Sequence, residues 1–229
     1  MIPICGLTKT TLLDYPGHIA SILFLGGCNF KCPYCHNYEL IKNFTPMYTT
    51  DEILSFLKKR SHIIEGVCIT GGEPTIHKDL PLFMEQIKSL SLKVKLDTNG
   101  SNPDFLHHIL SQHLVDYIAM DIKTSPTYYK EISQTNDATI EAVKKSVSLL
   151  KHCDIPYEFR TTYVKELHTQ EHVEDIGNWL KGSPTYYIQN YRQPPNCESQ
   201  LLHPIDRDTL IKYQTILKTY ISTVEIRGE

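Results

Sequence analysis

Residues 19–37 read IASILFLGGCNFKCPYCHN, an apolar, β-branched run that stops at two glycines and opens into three cysteines spaced C-x3-C-x2-C. IASILFL (19–25) reads as a strand, and the change of composition at Gly26 marks its end. The same figure recurs along the chain. GVCIT (66–70) runs into GGEP, KVKLDT (93–98) into NG, and DYIAMDI (116–122) carries Asp121 and leads to Lys123. YEFRTTY (157–163) carries Arg160, TYYIQNY (185–191) leads into Arg192, and TVEIR (223–227) ends in Arg227 and Gly228.

Between these runs lie helical patterns. In TDEILSFLKK (50–59), Thr50 or Asp51 can cap the N-terminus, and Ile53, Leu54 and Leu57 form an apolar stripe. LPLFMEQIKSL (80–90), NPDFLHHIL (102–110), TIEAVKKSVSLL (139–150), TQEHVEDIGNWL (169–180) and IDRDTLIKYQTILKTYI (205–221) follow. Strand and helix alternating at this spacing predict βαβ units and a mostly parallel sheet. Right-handed crossovers leave either an open doubly wound sheet or a barrel-like one. The charged, glycine and thiol residues gather at successive strand ends, and in a barrel-like α/β fold that rim carries the active site. The prediction is an α/β, partial, open TIM-like barrel of about six parallel β/α units. A lead hairpin over residues 1–18, with turn chemistry at Asp14-Tyr15-Pro16-Gly17, precedes a core over 19–191. Residues 192–229 then supply a C-terminal helix and an extra strand, all within one domain.

Composition excludes several classes. The chain has 229 residues, 41% apolar and 21% charged, with a formal net charge of −3. That balance lacks the basic stripe of a nucleic-acid binder, and no apolar run approaches 18 residues. The N-terminus lacks the layout of a secretory signal, so a cytoplasmic protein with no membrane or nucleic-acid partner is expected. Seven cysteines at uneven spacing argue against a disulfide framework. Cys68 and Cys153 read as small packing residues, Cys197 as an incidental thiol, and Cys5 has no role assigned.

Cys28, Cys32 and Cys35 with His36 could be drawn as a Cys3His zinc set. Against zinc, His36 directly follows Cys35, and adjacent residues rarely both reach one tetrahedral ion. A four-iron cluster is the alternative: three thiolates would leave its fourth iron open. C-x3-C-x2-C with Tyr34 before the last cysteine, followed by Gly71-Gly72-Glu73-Pro74, resembles the radical S-adenosylmethionine (SAM) superfamily. That resemblance implies one [4Fe–4S] cluster on Cys28, Cys32 and Cys35, with SAM on the open iron. It implies that Gly71, Gly72, Glu73 and Pro74 hold the methionine amino group and that Tyr34 packs beside SAM.

Asp97-Thr98-Asn99-Gly100 and Asp121-Ile122-Lys123 are similar to elements of glycyl-radical-enzyme activating enzymes. The resemblance implies SAM contacts for Asp97, Asn99, Asp121 and Lys123, with Lys123 suited to the carboxylate. Arg160 and Arg192 would face SAM or partner, Arg192 standing where a related activator has histidine. GLTKTTLLDYPGHIASILFLGGCNFKCPYCHN and the ending VEIRG look most like activating proteins of anaerobic ribonucleoside-triphosphate reductase. The implied substrate is a glycine Cα–H in that reductase, and the implied electron donor resembles flavodoxin or ferredoxin. The loop 189–200 would border the site mouth. A radical SAM enzyme acting on a small molecule, similar to carboxy-deazaguanine synthase, is the alternative reading, with a non-enzymatic zinc-binding module behind it.

Overall fold

The computed structural model describes residues 2–42, 44–193 and 201–227, so Cys197, most of the loop 189–200 and Gly228 lie outside it. Eight strands succeed one another in a single sheet in chain order: β1 (Ile4–Thr11), β2 (Ala20–Leu25), β3 (Gly66–Gly71), β4 (Lys93–Thr98), β5 (Tyr117–Asp121), β6 (Tyr157–Tyr163), β7 (Thr185–Asn190) and β8 (Thr223–Arg227). β1 runs antiparallel to β2, whereas β2–β3, β3–β4, β6–β7 and β7–β8 are parallel ladders. The sheet is mostly parallel and does not close. Seven strands fall within about a residue of their predicted positions, and β1 is the expected lead strand.

The chain forms two compact units. The first comprises residues 1–29, 37–119 and 152–156. Its opening hairpin turns at Tyr15-Pro16-Gly17-His18, where the His18 amide donates to the Tyr15 carbonyl at 3.1 Å and Gly17 has φ 75°. Proline fixes φ at the second position and glycine supplies the positive φ at the third, a type II turn. Leu23, Ile69 and Leu96 are register partners on one face of β2–β4 and have no exposed surface. Helices α1 (Glu39–Lys42), α2 (Thr50–Arg60), α3 (Leu80–Ser89) and α4 (Pro103–Ser111) belong to this unit, and Ile53, Leu57, Phe83, Met84 and Ile87 bury their apolar stripes. The N-cap of α2 is Thr49, one residue before the predicted Thr50 or Asp51. Thr49 Oγ1 accepts from the Glu52 amide and the Glu52 carboxylate accepts from the Thr49 amide, a reciprocal box that Thr50 and Asp51 cannot form.

The second unit comprises residues 30–36, 120–151 and 157–229. It carries α5 (Tyr129–Ser133), α6 (Asp137–Lys151), α7 (Gln170–Trp179) and α8 (Arg207–Leu217). The short helices α1 and α5 have too few turns to show an apolar period, and the sequence pattern passed over them. Helix α8 stops at Leu217 rather than at the expected 221, because Lys218 to Ile221 turn back toward β8. Among the described residues no helix is long and apolar enough to cross a membrane.

On β6, the fully buried Glu158 carboxylate receives both Nη atoms of Arg227 at 3.0 and 3.4 Å. The guanidinium also lies 3.1 Å from the Tyr187 ring centroid. Arg227→Ala strips a buried carboxylate of its cation, a change that costs about 3–5 kcal/mol in buried pairs. Arg227→Lys restores charge without the two-pronged geometry and recovers only part. Denaturant unfolding of the two variants checks both expectations.

Candidate active site

In the first unit, the end of β3 and the start of the cysteine loop touch backbone to backbone. The Gly72 amide donates to Leu25 O and the Glu73 amide to Gly27 O, both at 2.8 Å. A Cβ on Gly72 would stand 1.9 Å from Gly27 O, and one on Gly71, at φ 117°, would stand 2.4 Å from the Leu25 backbone. These two glycines are required by backbone contact within the chain, before any ligand is considered.

Glu73 then turns its carboxylate inward, where it has no exposed surface. Oε1 accepts from the Thr75 amide (3.1 Å), Thr75 Oγ1 (2.6 Å) and Thr98 Oγ1 (2.7 Å), and Oε2 from the Asn99 amide (2.6 Å). Burial pushes its pKa up, and those four donors pull against the rise. Pro74 is buried at the head of a short 3₁₀ turn, Pro74–Ile76. The carboxylate thus joins Gly71-Gly72-Glu73-Pro74 to Thr98-Asn99.

Both stems of the cysteine loop are pinned in this unit. Asn29 Nδ2 donates to Ser101 Oγ at 2.8 Å, and Asn99 Nδ2 donates to Asn29 Oδ1 at 3.0 Å. Asn37 Nδ2 reaches Gly71 O at 3.0 Å, and His77 Nε2 meets Gly26 O at 2.9 Å. Sequence reasoning missed Asn29, Asn37 and His77, although all three border glycines or thiols it had singled out. Asp97 pairs with Lys95 Nζ, and Cys68 Sγ stands 3.7 Å from that ammonium and 3.8 Å from Asp97 Oδ1. Lys95 is 2% exposed. Cys68 therefore does more than fill space, whereas Cys153 meets Ile155 O at 3.4 Å and Cys5 meets Pro3 O at 3.5 Å, both backbone atoms.

In the second unit, Cys32, Tyr34, Cys35, Asp121, Lys123 and Arg160 come together. Asp121 accepts from Lys123 Nζ at 3.0 Å and from Arg160 Nε at 2.5 Å, so one carboxylate serves two cations. Burial works against the charge on Lys123, yet Asp121 and Cys32 hold its pKa well above the ordinary value. Burial likewise raises the Cys32 thiol, and Lys123 opposes that rise. Tyr34, in C-P-Y-C, donates its hydroxyl to Lys123 O at 3.3 Å. Arg192 is exposed beyond β7. Cys28 belongs to the first unit and Cys32 and Cys35 to the second; none of the three forms a disulfide. Among the described residues, no three His, Cys, Asp or Glu side chains are gathered as a metal-holding group.

The turn after β5 is held at nearly every backbone atom. The Ile122 amide donates to Arg160 O (2.8 Å), Thr161 Oγ1 donates to Ile122 O (2.7 Å), and the Lys123 amide donates to Tyr129 Oη (3.4 Å). Behind Thr161, Tyr186 Oη donates to Thr161 Oγ1 at 2.6 Å and lies 2.9 Å from Tyr163 Oη. His168 Nε2 adds a 2.9 Å contact to Lys123 O. Thr124 and Ser125 bury their hydroxyls completely, with no partner among the described residues. Orphaned hydroxyls of that kind call for ordered water or a polar ligand.

Gly72→Ala forces the β3 end away from Gly27 O, a backbone atom that cannot rotate aside. The expected loss is about 1–3 kcal/mol or more, read as a lowered unfolding midpoint. His168 gives a pH signature. Burial, with His172 nearby, depresses its pKa from the ordinary 6.5 to about 4. Folding is then most favourable above pH 6.5 and weakens as pH falls toward 4, because the unfolded chain takes the proton first. The span corresponds to roughly 3 kcal/mol, and His168→Phe flattens that part of a stability-against-pH curve.

The model of the radical SAM superfamily matches residues 22–180. A Methanocaldococcus jannaschii protein named "Putative glycyl-radical enzyme activating enzyme" is 30% identical over 98% of this chain and 95% of its own length. A Methanococcus maripaludis "Probable GTP 3',8-cyclase" is 32% identical over 52% of this chain and 41% of its own. Among solved structures, Streptococcus suis SuiB bound to S-adenosylmethionine superposes with a TM-score of 0.71 at 14% identity. That likeness covers 88% of this chain but only about half (48%) of SuiB, and it speaks to the fold alone. With its cysteine loop, its Gly-Gly-Glu-Pro strand end and a family match over most of its length, the chain belongs to the radical SAM superfamily.

Proposed function

We propose that the protein is a glycyl-radical-enzyme activating enzyme whose partner is an anaerobic ribonucleoside-triphosphate reductase. Family membership carries a [4Fe–4S] cluster and SAM with it. The residues present fit both groups. Three thiols outside any disulfide sit within eight residues, two hydroxyls with no partner among the described residues follow Lys123, and Glu73 Oε2 holds one donor among the described residues and can accept another. When bound, the cluster would pass one electron from the donor protein to SAM, releasing methionine and supplying a 5′-deoxyadenosyl radical able to take a hydrogen atom from the partner's glycine Cα, with 5′-deoxyadenosine and a glycyl radical as products.

The observation that carries this reading is the connected group Cys32, Tyr34, Asp121, Lys123 and Arg160 in the second unit. In it a cluster-loop thiol shares one electrostatic neighbourhood with an ammonium suited to the SAM carboxylate. Cys28, Cys32 and Cys35 hold the iron, leaving the fourth position to SAM. Glu73 Oε2 accepts from the SAM ammonium, with Gly71, Gly72 and Pro74 fixing its approach. Tyr34, Asp97, Asn99 and Asp121 complete the cofactor's surroundings, and Arg160 and Arg192 face SAM or the partner. The electron comes from a flavodoxin- or ferredoxin-like protein. The near full-length likeness to the M. jannaschii protein supports a glycyl radical enzyme as partner.

A small-molecule substrate is the second reading, favoured by the likeness to a GTP 3',8-cyclase over about half the chain. The two separate in one experiment. Reduced, cluster-loaded protein with SAM and a cognate anaerobic reductase should give a glycyl doublet by electron paramagnetic resonance. SAM cleavage without a doublet on any cognate reductase favours the small-molecule reading, and bound zinc with no SAM cleavage sinks both. Ala at Cys28, Cys32 or Cys35 should abolish the cluster, while Cys153→Ala keeps its iron. Lys123→Met should keep the cluster and weaken SAM binding by about tenfold or more, the value of a hydrogen bond to a charged group.

A further inference from the structure

The Lys123 carbonyl is a shared acceptor. Tyr34 Oη reaches it at 3.3 Å from the cysteine loop, and His168 Nε2 reaches it at 2.9 Å from the segment between β6 and α7. A backbone carbonyl has two lone pairs, and these two donors use both. The second nitrogen of His168 fixes which tautomer is present. Nδ1 accepts the Val164 amide at 3.0 Å, so the proton sits on Nε2 and points at Lys123 O. The other tautomer would set two lone pairs against each other at Nε2 and would leave the Val164 amide without its acceptor.

The imidazole has no freedom to leave this position. It is 2% exposed and packed edge-on against Tyr34 and Tyr163, at 6.1 and 5.1 Å between ring centroids. Its own carbonyl accepts from Tyr213 Oη at 3.2 Å. The segment that carries it is folded into a turn by the Leu167 and His168 amides, both donating to Val164 O. On the other side, the Lys31 amide donates to Ser133 O at 3.3 Å, and Ser133 Oγ donates to Tyr129 O at 2.5 Å. Tyr129 Oη in turn accepts the Lys123 amide. The cysteine loop and the Lys123 turn are therefore joined twice, once through Tyr34 and once through Tyr129.

We infer that His168 is a positioning residue. Through the Lys123 carbonyl that it shares with Tyr34, it fixes the Lys123 side chain relative to the loop bearing Cys32 and Cys35, and so sets SAM affinity without touching SAM. The inference rests on the reading of Lys123 as a SAM-binding residue. It extends that reading to a histidine that lies in no motif and makes no metal spacing.

The test measures SAM dissociation constants by equilibrium dialysis on anaerobic, cluster-loaded full-length protein, with iron content as the control. His168→Phe keeps an aromatic ring and removes both nitrogens. It should weaken SAM binding about five- to tenfold with iron unchanged, the value of one lost hydrogen bond at a carbonyl that Tyr34 alone would then hold. His168→Gln keeps an N–H donor of similar reach and should return to within about threefold of the native value. Tyr34→Phe should weaken binding in the same sense, and the double variant should fall short of the product of the single effects, because both act through one atom.

Should His168→Phe fail to fold, the cycle of Tyr34→Phe with His168→Asn carries the test, because the shorter amide can still meet the Val164 amide but falls short of the Lys123 carbonyl. Coupling between those two supports the shared acceptor, and strict additivity overturns it. A lowered unfolding midpoint with unchanged SAM affinity reduces His168 to a packing role and overturns the inference while leaving the proposed function standing. Native protein that holds its cluster but binds no SAM overturns both.

Discussion

Gly72 has no side chain, and much of the first unit depends on that gap. A Cβ there would occupy the space of Gly27 O. Without one, the end of β3 lies directly on the start of the cysteine loop, and the Glu73 amide reaches the Gly27 carbonyl. The Glu73 carboxylate is then delivered below the surface, where Thr75, Thr98 and Asn99 supply four donors. A buried carboxylate is costly unless satisfied, and here satisfaction requires two separate strand ends at once. Close approach and charge burial support each other: either alone would leave an unfilled gap or an unpaired anion.

The second unit solves a related problem by other means. A lysine, an arginine and an aspartate gather beside a buried thiol, and such a group holds its geometry only if the backbone beneath it is fixed. Thr161, Tyr186 and Tyr163 form a hydroxyl chain to Ile122 O, and Tyr129, Tyr34 and His168 hold the two polar backbone atoms of Lys123. The tyrosines involved are almost wholly buried, with their hydroxyls paired. In this unit aromatic residues do the work that glycines and a carboxylate do in the first.

The strands were legible because each is a short β-branched run ended by a change of chemistry, which is a local signal. The loaded strand ends were legible for the same reason, and they carried the reading of the site. Function within the site was less legible. Glu73 reads in sequence as an acceptor for a ligand, yet most of its lone pairs serve Thr75, Thr98 and Asn99. Lys95 occupies an alternate position in KVKLDT that would suit a solvated lysine. Only the register pairing with Cys68, and the ion pair to Asp97, explain why it is buried. His168 gave no signal because its partners lie 4 and 45 residues away, through backbone atoms that carry no sequence identity. Thr49 captured the α2 cap from Thr50 and Asp51 because the reciprocal bond to Glu52 needs a three-residue spacing.

The thiols differ in what surrounds them, and iron loading inherits that difference. Iron and sulfide combine with thiolates, so a cysteine held in its protonated form is a poor competitor. Burial raises the pKa of Cys5 and of Cys153, and neither has a cation opposing it. Cys32 is buried more deeply, yet the Lys123 ammonium favours its ionised form. Burial thus favours the protonated thiol at Cys5 and Cys153, whereas at Cys32 a neighbouring charge works against it. If Lys123 and Cys32 have the roles proposed above, one ammonium would serve two anions, the cofactor's carboxylate and the thiolate of the cysteine loop.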